Sequence, residues 1–275
     1  MKAFFIFLFS FIFLFSCSVF SPGRQESVSP ENISNNNISG DILRPSMREQ
    51  HASGYWNVRS SNNQLIVIGV SSPMLKRDSE IAAAKEDAAR KVAMYYGMYI
   101  SMEITNRTGS NLLDYMHDSN ANIKCDTDYE NYIDQLTFDP QNDVLITGEA
   151  VFVRFRHSTA VTDINYTARF ANGRPDWIRN RNIPEFEGYL TAVGFAQNQR
   201  RLKDTIFRST QNAAVRMIED LSTTVNTKEV ISGQGSSSSI QAKSEGRLNN
   251  FRVIDFWIEP ETRYVYTLAV AESGG

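Results

Sequence analysis

Apolar and polar positions divide the 275-residue chain into three stretches of different character. Residues 3–15 are apolar except for Ser10, and only Met1 and Lys2 precede them. A run of thirteen matches the core of a signal peptide, since a bilayer span needs about 20 apolar residues. From Ser18 to about Ser53 the chain turns polar, with no aromatic residue after Phe20 and no sustained periodicity. Such a stretch cannot bury enough apolar surface to fold alone, and it predicts a flexible tether over 17–53.

Residues 54–275 alternate between the period of a strand and the period of a helix. A β-branched run at 65–70 ends near Gly69, and a helix is predicted over 78–96. There Ile81, Ala84, Ala88, Val92 and Tyr95 form one stripe. Gly97 stops that helix, and 98–105 alternates with Met98, Ile100, Met102 and Ile104 on one face of a strand. Further strands are predicted at 144–157 and 163–170. The same order returns later: a strand at 189–196 containing Gly194, a helix over 206–221 with Phe207, Thr210, Ala214, Ile218 and Leu221 in its stripe, and strands at 251–258 and 263–271. Glu259-Pro260-Glu261-Thr262 joins the last two as a turn. Trp56, Gly69, Asp78, Ala88 and Arg90 answer to Trp177, Gly194, Asp204, Ala214 and Arg216, with one residue inserted between glycine and aspartate. The expected fold is therefore α+β: two tandem copies of a helix-on-antiparallel-sheet unit, 54–172 and 173–275, behind a signal at 1–16 and the tether.

Composition narrows the chemistry. A net charge of -3, becoming -4 without the first sixteen residues, speaks against nucleic acid as a partner. Two cysteines, Cys17 and Cys125, exclude a disulfide framework and a four-cysteine zinc site. His51, His117 and His157 are scattered, and no nucleophile or phosphate-loop pattern accompanies them. The 108–143 segment holds Asp114, His117, Asp118, Cys125, Asp126, Asp128, Glu130 and Asp134; it reads as a solvated acidic loop, with a divalent-metal site as the competing reading. Asp78 and Asp204 read as helix N-caps, Arg90 and Arg216 as paired surface cations, and Trp56 and Trp177 as core plugs. The basic alternation at 151–157 and the Gly/Ser run at 233–239 carry no specific chemistry. No catalytic residue, metal ligand or cofactor is assigned.

Two resemblances locate the protein. Leu14-Phe15-Ser16-Cys17 resembles a bacterial lipoprotein signal, although Phe15 stands where a small residue is usual. That resemblance implies cleavage before Cys17, a diacylglyceryl thioether on its sulfur and acylation of the new amino group. A secretory cut after Ser18 and an uncleaved anchor reaching Phe20 are the alternatives. The strand ending in glycine, the alanine-rich helix carrying Ala88-Ala89-Arg90-Lys91-Val92, and Pro175-Asp176-Trp177 resemble the LPP20 family of envelope lipoproteins over 55–107 and 175–272. The family implies a lipid-anchored envelope protein, often of the outer membrane. The expectation is thus a non-enzymatic lipoprotein, held in the membrane by lipid on Cys17, that presents a surface to a protein or cell-wall partner. A hydrolytic or metal- or ligand-binding enzyme sited in 108–143 is the alternative.

Overall fold

The computed structural model describes residues 47–58, 60, 63–105, 120–164, 166–179, 183–230 and 241–274. The signal, most of the tether, the Gly/Ser run, and Asp114, His117 and Asp118 lie outside the described residues. Two helices carry the architecture. α2 (Arg77–Tyr96) buries Ala84, Ala88, Val92 and Tyr95 of its predicted stripe, and α4 (Leu202–Val230) buries Thr210, Ala214 and Ile218 of its own. A three-stranded antiparallel sheet runs β2 (Gln64–Ser71), β6 (Val151–Ser158), β5 (Val144–Ile146). The larger sheet runs β4 (Asn120–Cys125), β3 (Met98–Thr105), β10 (Gln241–Ile258), β11 (Val265–Gly274), β9 (Leu190–Ala196), with β1 (Tyr55–Asn57) also paired to β10. Short elements complete the fold: α1 (Met47–Ser53), α3 (Glu130–Ile133), and the β7 (Phe170–Ala171) and β8 (Arg174–Pro175) ribbon. The fold is α+β, as the periodicities predict.

In both strand–helix pairs the helix backbone presses on a glycine. A Cβ at Gly69 would run into the Ala84 carbonyl, and one at Gly194 into the Ser209 carbonyl and the Ala213 amide. β2 and β9 are both sheet edges, and an edge leaves every second peptide group unpaired. Helix side chains supply the missing partners. Lys91 Nζ donates to the Ile68 carbonyl at 2.5 Å, and the Val70 amide donates to Asp87 at 2.9 Å. On the other edge Arg216 donates to the Val193 carbonyl at 2.5 Å, and Asn212 to the Phe195 carbonyl at 2.6 Å. A constant spacing of 125 residues relates these contacts, glycines included. The expected alignment therefore shifts by one: Lys91, not Arg90, occupies the place of Arg216.

The same spacing corrects the caps. Asp78 lies inside the first turn of α2, and the residue before the helix, Lys76, makes no side-chain cap bond. Asp204 also lies within its helix, where it pairs with Arg201 at 2.7 Å. The loop amides are met from one turn further on: Met74 donates to Glu80 at 2.7 Å, and Gln199 to Thr205 at 2.9 Å.

Four other expectations change. The tether stops short of 53, because Met47–Ser53 is a helix that buries Met47 and Gln50 one turn apart. His51 therefore sits in folded structure, its ring 5.8 Å from that of Trp56. The strand predicted over 144–157 is a hairpin, split where the Ala150 amide turns back onto Thr147 Oγ1 at 3.0 Å. Among the described residues of 163–170 only Phe170 is in a strand; Ile164 and Tyr166 alternate inward, which gives the period without strand pairing. Finally, the boundary drawn near 172 is crossed by hydrogen bonding, since β3 pairs with β10 from Met98↔Leu248 to Thr105↔Gln241 and β1 pairs with β10 at Trp56↔Phe256. Residues Arg44–Gly275 cluster as one compact unit.

Candidate binding groove

An open groove of about 360 Å³ lies between α2, β4 and α4. Ala93 and Met94 of α2 and Phe207 and Gln211 of α4 line it. Ile123 and Cys125 of β4 also line the groove. Arg90 closes one rim, its guanidinium 4.5 Å above the Tyr129 ring and 3.5 Å from Glu86. That ion pair is exposed on both sides and contributes little to stability, so the cation remains available to a ligand.

Three residues singled out from the sequence, Arg90, Cys125 and Asp128, converge on this groove, and Tyr129, Phe207, Gln211 and Ile123 join them. Phe207 carried a signal: it opens the predicted apolar stripe, yet it is only half-buried because the groove lies over it. Cys125 is free and half-buried; burial, then the neighbouring Asp126 carboxylate, pushes its thiol pKa up. A protonated thiol is a poor nucleophile and a poor metal ligand. Asp126 itself is engaged by Arg247 at 2.5 Å. Among the described residues no three His, Cys, Asp or Glu side chains come together as a metal site. Apolar side chains line the groove together with two cations, Arg90 and Lys124, the Gln211 amide and the Asp128 carboxylate.

The other candidates are placed elsewhere. Trp56 and Trp177 are fully buried. His157 is buried, its Nε2 2.8 Å from the Tyr96 hydroxyl and its ring edge-on to Tyr96 and Tyr132. The alternation at 151–157 is no free cationic stripe, because Arg156 is clamped by the buried Asp143 carboxylate. Asp255 is wholly buried on β10 with the Tyr55 hydroxyl as its hydrogen-bond partner; burial raises its pKa well above the ordinary carboxylate range.

Residues 175–272 match the LPP20 lipoprotein family. The matched segment begins at Pro175-Asp176-Trp177 and runs through β9, α4, β10 and most of β11. No curated protein and no solved structure matches the chain. Among the described residues no helix is long and apolar enough to cross a membrane.

Proposed function

We propose that this chain is a bacterial envelope lipoprotein, anchored through acyl chains on Cys17, most simply in the outer membrane, and working without catalysis. Its role is to hold a binding surface at one membrane face, for a protein or cell-wall partner, in structure or assembly. The observation that carries this reading is the match of 175–272 to a lipoprotein family in a chain whose leader ends Leu14-Phe15-Ser16-Cys17. The groove supports the second half of it. Burial keeps the Cys125 thiol that lines it protonated, and Asp126, next to Cys125 in the chain, is tied to Arg247. Two or more acyl chains anchor a protein firmly, and tethering raises the effective concentration of any partner in the same membrane.

The proposal includes an internal duplication. Edge bonds, loop-amide bonds and helix-seating glycines that recur at a spacing of 125 support it. In this reading the strand after α2 left its own sheet and joined β10.

The test is made in growing cells. Radiolabelled palmitate should enter the wild-type chain and not Cys17→Ser, and Cys17→Ser should abolish the cellular phenotype. Alanine at His117, which is not among the residues lining the groove, should be tolerated. Loss of phenotype in His117→Ala, with abundance and attachment intact, would move the function to an enzyme or metal site in 108–143.

A further inference from the structure

Three of the large apolar residues left exposed, Met74, Leu75 and Ile146, stand at one end of the fold; Leu75 is fully exposed. Strand register places them there. Ser71, where β2 ends, pairs with Val151, and Val151 pairs on its other side with Ile146. Met74 and Leu75 follow three and four residues after Ser71, in the loop before α2.

The chain enters its folded part at this same end. An ion pair between Glu149 and Arg263 ties the β5–β6 turn to the β10–β11 turn. The Gly54 carbonyl, one residue after α1, accepts the Ile258 amide at 2.7 Å beside that second turn. Twenty-nine residues separate Cys17 from Met47, a stretch that spans at most roughly 100 Å. The stretch that leads from Cys17 therefore joins the fold at the end that carries the apolar tip.

We propose that Met74 and Leu75, flanked by Ile146, form a second membrane contact that inserts into the lipid surface and fixes the orientation of the folded unit. The inference rests on the lipid-anchor reading and adds to it a contact made by the folded part. Exposed Asp78 and Glu261 at this end offset Lys76 and Arg200, so the contact is apolar and not a basic patch selecting anionic lipid. With this end down, the far half of β10, with β3 and β4, points away from the bilayer. Tyr99 pairs there with Arg247, eleven residues along β10 from Ile258.

The three native tryptophans are buried, so their emission is a background shielded from a quencher in the lipid, measured on the wild-type chain and subtracted. The lipid-modified full chain carrying Leu75→Trp, and separately Met74→Trp, is reconstituted into phosphatidylcholine vesicles brominated on the acyl chains. Emission of the new tryptophan should fall by roughly half or more, as for a side chain seated about 5–10 Å deep, and should not recover in high salt. Tyr99→Trp should keep its emission. Protein that floats with the vesicles while neither Leu75→Trp nor Met74→Trp is quenched overturns the inference and leaves the anchor standing. Equal quenching at Tyr99→Trp overturns the orientation. Protein that fails to float overturns the anchor reading and this inference with it.

Discussion

Adding one methyl group at Gly69 tests the packing that creates the strand–helix unit. The Ala84 carbonyl of α2 and the Phe155 ring, the latter 3.0 Å from the new Cβ position, leave no room for it. Relief requires the helix backbone to withdraw by roughly an ångström, and a helix held by fully buried Ala84, Ala88, Ala89 and Val92 cannot do so without opening its contact with β2. Overpacking of this kind costs about 2–3 kcal/mol. For a domain of this size that lowers the melting temperature by roughly 5–10 °C. Thermal unfolding followed by far-ultraviolet circular dichroism measures it, with Gly194→Ala expected to behave alike. Gly148→Ala is the control, since its Cβ would meet nothing within 4 Å. A Gly69→Ala protein melting within a degree of wild type would refute the seating argument.

Removing Lys91 by Lys91→Met should cost about 3–5 kcal/mol, because the buried Asp87 loses its ion pair and the Ile68 carbonyl its donor; Arg90→Ala, at an exposed pair, should cost under about 1 kcal/mol in the same urea titration. Burial lowers the pKa of His157 below 6.5, so the unfolded chain takes up a proton there first. That stabilising contribution is complete above 6.5 and is lost as the pH falls below it, and His157→Gln should flatten this part of the stability profile. Asp255 acts with the opposite sign: the folded protein keeps a proton that the unfolded chain gives up near 3.8, so stability drops as the pH rises toward the elevated folded pKa. Asp255→Asn should therefore stabilise the protein at neutral pH by about 1–3 kcal/mol and make little difference below 3.8.

Local pattern carried the helices and the regular strands. The stripe from Ala84 to Tyr95 and the alternation from Met98 to Met102 bury the faces that their spacing indicates. Pairing partners were not legible, because the alternation of β3 is the same whether it lies beside its own unit or beside β10. The loop-amide bonds to Glu80 and Thr205 span six residues, beyond the two or three over which capping rules look, so the nearer aspartates drew the assignment. α1 was hidden because seven residues with two buried positions give too little periodicity to detect. The groove was half legible: Arg90, Cys125 and Asp128 stood out by type, whereas Phe207 and Gln211 reach it through the packing of α4 across from α2.

Lipid attachment is the claim on which the rest depends, and mass spectrometry of the amino-terminal peptide of the mature protein tests it most directly. The account predicts a chain that starts at Cys17, with a diacylglyceryl group on sulfur and an acyl group on nitrogen, and an unmodified, unprocessed precursor for Cys17→Ser. A mature chain that starts after Ser18, or one that retains residues 1–16 with a free Cys17 thiol, would contradict it.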